Sequence, residues 1–215
     1  MSKLNLEWVK QNFDHDKFVF FEIGTAFLET SREVRLLFPN AEIYAFEAGV
    51  HWHETNEELA SQDNVKYFKC AVSDIDGEVL FHPSETQYGE PHPWSSSIFE
   101  LRHGLNSNTF GKEYGKPYVV ECTRLDTFCN KHTVYPDVIH IDVEGAEYKV
   151  FQSIGEYRPK CIWAEVGAFG HYDTGVDFEQ FNALMESLGY HMLFRTDNDA
   201  LYCLTSISTT TYYEL

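Results

Sequence analysis

At 215 residues the chain has the length of one large domain, enough to bury roughly 70% of its unfolded surface. Sixteen basic against 34 acidic residues give a formal charge of −18. With no basic run to neutralise phosphates, the chain is expected to repel nucleic acid and anionic membranes and to take a neutral acceptor, although solubility alone also accounts for such a charge.

No run of about 18 apolar residues is present to span a membrane. The opening stretch MSKLNLEWVKQNFDHDK has no apolar signal core. Five scattered cysteines, Cys70, Cys122, Cys129, Cys161 and Cys203, lack Cys-x-x-Cys spacing and read as reduced core residues of a cytoplasmic protein.

FVFFEI (18–23) reads as a buried strand, and LETSREVRLLF (28–38) has helical spacing that ends at Pro39. AEIYAFE (41–47) is a second strand, HWHETNEELASQ (51–62) a polar helix, and VKYFKCAV (65–72) a third strand. DVIHIDV (137–143) is a fourth strand, followed by the helix AEYKVFQSI; KCIWAEV (160–166) is a fifth, followed by a helix over 177–188. YHMLFRT and ALYCLTS then make a closing antiparallel pair. Strands alternating with helices predict an α/β fold with a Rossmann-like, doubly wound, mostly parallel sheet. Residues 82–118, rich in Pro, Gly, Ser, His and aromatics, are too long for an ordinary connection. They read as a substrate-side insertion in a single domain spanning 1–215.

In a doubly wound sheet, ligands bind at the carboxyl ends of the strands where strand order reverses. The first strand runs into EIGTAFLE (22–29), and a dinucleotide fingerprint would need glycines at Gly24, Ala26 and Glu29. Only the first is present, and Glu29 would repel a pyrophosphate, so NAD is disfavoured. A nucleoside without phosphates asks for less. Gly24 supplies a tight turn, Glu22 can face a cationic group, and Glu47 ends the second strand, where a carboxylate can bond both ribose hydroxyls. A solvated strand end with a turn glycine is the plainer reading of these three residues.

The order FFEIGTAFLETS … IYAFEAG … CAVSDIDGEVLF … SSSI … TRLDTF … VIHIDVEGAE resembles the FkbM family of class I S-adenosylmethionine-dependent methyltransferases over roughly residues 18 to 166. Its most specific parts are Glu22-Ile23-Gly24, AFEA (45–48), TRLD (123–126) and IDVEGAE (141–147). The family commonly carries another glycine where Leu28 stands, and often Lys where His140 stands. The resemblance implies the class I methyltransferase fold, with S-adenosyl-L-methionine held by Glu22, Gly24, Thr25, Phe27, Glu47, Ala48, Ser73 and Asp142. It also implies O-methylation, frequently of a sugar hydroxyl in a glycan or glycosylated metabolite.

A sugar hydroxyl is a poor nucleophile, and a positioned base contributes about 10²–10⁴-fold to its reactivity. Asp142 at the tip of the fourth strand is the first candidate, with Glu144 on the same strand phase and Glu165 ending the fifth strand. His171, in the loop after the fifth strand, is either a base at working pH or a plain loop histidine. Converging carboxylates are relieved by a raised pKa, a cationic ligand or a hard metal. The sulfonium is itself cationic, so a divalent metal is possible but not favoured, with Asp142 and Glu165 the ligands if one binds.

Glu147 reads as a helix-start acid, favoured by the dipole. His51 and His53 read as surface histidines and His140 as a hydrogen-bonded core residue. Arg124 and Asp126 read as a clamp on the insertion. Ser95, Ser96 and Ser97 are either donors to a ligand or turn serines, and Tyr88, His92 and Trp94 either stack on a sugar face or close the loop onto the core. The alternatives to the methyltransferase are a non-catalytic nucleoside-binding module and a nicotinamide-dependent oxidoreductase.

Overall fold

The computed structural model describes residues 6–12, 17–100 and 112–206. Part of the expected insertion, 101–111, therefore lies outside the described residues. Helix α1 is Leu6–Asn12, followed by β1 (Val19–Ile23), α2 (Glu29–Leu37), β2 (Glu42–Phe46), α3 (His53–Asp63) and β3 (Lys66–Phe68). After the central region come α4 (Leu125–His132), β10 (Val138–Ile141), α5 (Glu147–Gln152), β11 (Cys161–Glu165), α6 (Phe178–Ser187), β12 (Tyr190–Arg195) and β13 (Asp199–Leu204).

These strands make one seven-stranded sheet in the order β12-β13-β11-β10-β1-β2-β3. All neighbours are parallel except β13, which runs antiparallel to both β11 and β12. The closing pair forms as expected, but its later strand slots inside, against β11, and leaves β12 at the edge. Strand order reverses between β1 and β10, where Glu22 is registered with His140 and Ile23 with Ile141.

Both faces of the sheet are buried, and successive residues of β1 serve opposite faces. Phe21 and Ile23 pack with Phe128, Phe151 and Phe181 from α4, α5 and α6. Phe20 packs with Trp8, Val9, Val34 and Ala60 from α1, α2 and α3. That is why the strands read as unbroken apolar runs.

The expected third strand, 65–72, divides in two. Its first part is β3 in the main sheet, and its second is β4 (Ala71–Ser73), which leaves to join a small sheet with β5 (Gly77–Phe81) and β9 (Tyr118–Arg124), in the order β4-β9-β5. Phe81 pairs with Tyr118 at the end of the β5–β9 ladder, so the chain leaves and re-enters the fold at one paired position. Between these residues β6 (Ser84–Gln87), β7 (Glu90–Pro91) and β8 (Lys112–Tyr114) form a third sheet, β7-β6-β8.

Candidate functional site

A cavity opens at the carboxyl ends of β1, β2 and β10, where strand order reverses. It is lined by Glu22, Gly24, Thr25, Phe27, Glu47, Ala48 and Asp142, with His140, Trp52, Trp94, Ser96 and Ser97 completing its walls. Seven of the eight residues expected to hold the nucleoside thus share one cavity. Ser73 does not: it is buried, and its hydroxyl donates to Asp74 instead. Among the described residues, no lysine or arginine lines the cavity.

The turn after β1 is pinned by Gly24 N–H and Thr25 N–H, both donating to Phe46 O, at 2.9 and 3.1 Å. Gly24 has φ +81, and a Cβ there would lie 1.8 Å from the backbone oxygen of Asp142. This glycine is therefore required by the chain beside it rather than by a ligand. Further on, Ala26 and Leu28 also hold left-handed conformations, φ 45 and 62. Leu28 stands where the resemblance expects glycine, and it keeps the glycine conformation because its side chain is wholly buried in the core under α2. A left-handed non-glycine costs roughly 1–2 kcal/mol, and burying a leucine contributes about 1.5–3 kcal/mol. The turn is preserved by the larger of these two terms.

Two carboxylates grip this turn. Glu22 is buried and accepts from Ser31 N–H in the first turn of α2, at 2.9 Å. Burial pushes its pKa up against the hydrogen bonds that lower it. Glu47 accepts from Ala26 N–H at 2.7 Å and Gly49 N–H at 2.6 Å, one on each oxygen. Burial raises it to about 7 despite those bonds, with the charge of Glu22 adding to the rise. Each oxygen keeps a second lone pair, so a diol can still be bound. Asn56, wholly buried in α3, donates to Ala26 O at 2.7 Å and supports the turn from behind. It was not visible as a site residue, because a single Asn in a charged helix has no pattern of its own.

Asp142 lies half-buried just past β10 and links this cavity to a cluster of acids. One carboxylate oxygen each from Asp142, Glu144 and Glu165 lie within 4.8 Å of one another. Burial raises the pKa of Asp142, with Glu144 adding; burial also raises that of Glu165, with Asp142 adding, and the two carboxylates are close enough to share a proton. Glu144 adopts φ 52. Its carboxylate lies 3.0 Å from Tyr172 OH, whose single proton it shares with Ser95 O, and its backbone oxygen accepts from Ser97 OH at 2.8 Å. Asp199, registered with Glu165 across β11 and β13, brings further negative charge to Asp142. No sequence signal marks it, because its place depends on β13 slotting in beside β11.

Other expectations are corrected. Glu147 does begin α5, but it is wholly buried, accepting from Val143 N–H at 2.9 Å, with burial raising it to about 8. Burial, rather than an exposed helix dipole, governs it. His140 sits in the cavity wall with Nδ1 unpartnered, 3.9 Å from Glu22 Oε1, and burial lowers it to about 4. His53 is half-buried, with Nε2 3.2 Å from Glu47 O, whereas His51 is exposed as expected. His171 follows a short 3-10 turn at Gly167–Gly170 and is not among the cavity-lining residues. Arg124 grips Asp126 with two hydrogen bonds, 2.9 and 2.8 Å, but its third goes to Asp74 O. The pair holds the β4–β5 connection rather than the insertion.

The insertion is docked by other groups. Ser97 reaches Glu144, and the hydroxyl of buried Tyr172 donates to Ser95 O at 2.8 Å. Trp94 thereby comes to the cavity mouth, 5.7 Å from Trp52, which is 6.0 Å from Phe27. Tyr88 faces solvent. Trp52 was hidden between two histidines that drew the reading instead.

The family described as methyltransferase FkbM domain matches residues 19–192. The 2-O-methyltransferase NoeI of Sinorhizobium fredii (strain NBRC 101917 / NGR234) is 31% identical over 136 residues, 61% of this chain and 55% of its own length. Among solved structures, methyltransferase FkbM from Methylobacillus flagellatus KT is similar with a TM-score of 0.53 at 12% identity, over 87% of this chain and 44% of its own. Precorrin-6y C5,15-methyltransferase from Geobacter metallireducens GS-15 has a TM-score of 0.48 at 11% identity, over 94% of this chain and 87% of its own.

Proposed function

The chain belongs to the FkbM methyltransferase family, and from that membership we propose that it methylates a hydroxyl oxygen of an uncharged polyol, a sugar of a glycan or glycosylated metabolite. The observation that carries this reading is the position of Asp142, which lines the cavity containing Gly24 and Glu47 while its carboxylate joins Glu144 and Glu165. The name of the 2-O-methyltransferase relative supports oxygen as the acceptor atom. Among the described residues the cavity is lined by acids and by no lysine or arginine, which supports an acceptor without phosphate or carboxylate.

The cavity's chemistry fits S-adenosylmethionine. Glu22, Glu47 and Asp142 suit a cationic ligand bearing a ribose diol, and Phe46, Ala48 and Val72 suit an adenine face. When bound, this cofactor supplies an electrophilic methyl group on a positively charged sulfur. Glu47 would accept from the ribose hydroxyls, and Glu22 would balance positive charge at the turn. Asp142 would orient the acceptor hydroxyl and hold the proton it gives up. Trp52, Trp94 and Phe27 narrow the mouth against water. Ser97 and Tyr172 hold the insertion, which forms the acceptor side of the site.

Calorimetry with S-adenosylhomocysteine and NAD, followed by mass spectrometry of a glycan pool incubated with deuterium-labelled S-adenosylmethionine, tests the proposal. We expect S-adenosylhomocysteine to bind, NAD not to bind, and label to appear on a sugar oxygen. Label on nitrogen or carbon, or nucleoside binding without transfer, would overturn it.

A further inference from the structure

The sequence alone disfavours a metal, because a cationic cofactor can balance the acids. The structure adds two independent observations. First, the carboxylate oxygens of Asp142, Glu144 and Glu165 lie within 4.8 Å of one another. Oxygens that share one hard cation at about 2.0–2.6 Å are about 3–5 Å apart, so the cluster already has the spacing of a ligand set. Second, Glu165 Oε2 is closed off from solvent and accepts no hydrogen bond. Glu147, wholly buried and near enough for its charge to act on Glu165, also leaves Oε2 without a donor. A buried carboxyl oxygen without a donor is unfavourable. Without a metal the proton shared by Asp142 and Glu165 relieves the charge, and a divalent cation that displaces this proton satisfies the oxygens of all three acids at once. Among the described residues, no ion pair reaches Asp142 or Glu165.

We infer that Asp142, Glu144 and Glu165 bind a divalent, oxygen-seeking cation of the magnesium class beside the cavity. Glu144 is positioned for this by Tyr172 and Ser97, which hold its side chain and its backbone. Carboxylates from three separate chain positions leave the cation's remaining sites open to water or to neighbouring hydroxyls of an acceptor, in keeping with the reluctance of magnesium to shed all its waters. The inference rests on the proposed function for its role, since a cation here would anchor the polyol that is to be methylated. Its binding does not depend on that role.

Manganese(II) is the probe, titrated into the chelator-stripped full chain without cofactor and followed by electron paramagnetic resonance, with magnesium as competitor. We expect one saturable site per chain, displaced by magnesium, and affinity weakened by about tenfold or more in Glu144→Gln and Glu165→Gln. S-adenosylhomocysteine affinity, measured on the same samples, should be unchanged in Glu144→Gln, which also reports that this variant is folded. Absence of saturable manganese binding in the parent chain would overturn the inference, as would undiminished binding in both variants. A parent that binds manganese but no S-adenosylhomocysteine would instead count against the methyltransferase site alone.

Discussion

Asp142 stands between two environments, the cavity at the β1–α2 turn and the acid cluster, and its replacement separates them. Asp142→Asn keeps the side chain's shape and removes its charge. Turnover is expected to fall by about a hundredfold or more, the effect of losing a positioned base. S-adenosylhomocysteine affinity is expected to change little, because Glu22 and Glu47 remain. Steady-state rates and calorimetry on one preparation give the comparison, and near-normal turnover would reduce these acids to scaffold. Glu47 makes a different prediction. In the free protein its pKa lies near 7, above the ordinary 4.5, because burial disfavours its charge. Its contribution to stability is therefore full below 4.5 and is lost as pH rises through 7. A ligand carrying positive charge and donating two hydroxyls prefers the ionised form. S-adenosylmethionine should thus bind more tightly as pH rises through about 7, with net proton release visible as a buffer-dependent heat. Glu47→Gln should weaken binding and flatten the profile; a parent affinity indifferent to pH would place the ligand away from Glu47. Gly24 offers no such test, because any side chain there meets Asp142 O first.

At the scale of elements, the turn between β1 and α2 holds a left-handed leucine inside a packed core. Truncating Leu28 to alanine should cost about 2–5 kcal/mol, as for other buried leucines. Leu28→Gly removes the same packing but also the left-handed penalty, so the glycine variant should be the more stable by about 1 kcal/mol. Denaturant unfolding of both variants measures this difference, and the usual order, with alanine above glycine, would show that the turn relaxes. The same element explains what was legible in the chain. β1, β2, β10 and β11 were visible because strands buried on both faces must be apolar throughout, and Glu22, Glu47, Asp142 and Glu165 stood out as acids closing those runs. The division of 65–72 between β3 and β4 was not visible, because VKYFKCAV reads as one uninterrupted strand and only pairing assigns its ends to two sheets. Asp199, Asn56 and Trp52 were equally hidden. Each reaches the site through a partner distant in sequence, across β11 and β13, from α3 to the turn, or from one aromatic to the next.

For the whole molecule, no helix among the described residues is long and apolar enough to cross a membrane. The excess of acids has a local counterpart in a site where, among the described residues, carboxylates outnumber every other charged group. A ligand that binds only the folded chain stabilises all of it, so S-adenosylhomocysteine at about a hundred times its dissociation constant should add about 2.7 kcal/mol to unfolding. A denaturant midpoint that does not move with saturating ligand would show that the cavity is not its site. The pairing of Phe81 with Tyr118 has a consequence for how such proteins diversify. Everything between these residues is closed by one stem, so lengthening or exchanging the segment changes the entropy of a loop whose ends are already fixed. That cost grows slowly, by about 0.6 kcal/mol for each doubling of loop length. The nucleoside turn and the sheet lie outside the stem. The wall proposed to meet the acceptor lies inside it, joined to the rest of the site through Ser97 and Tyr172. Exchange of the segment therefore leaves the β1–α2 turn and the central sheet in place, and alters only the part of the cavity wall to which Trp94, Ser96 and Ser97 belong.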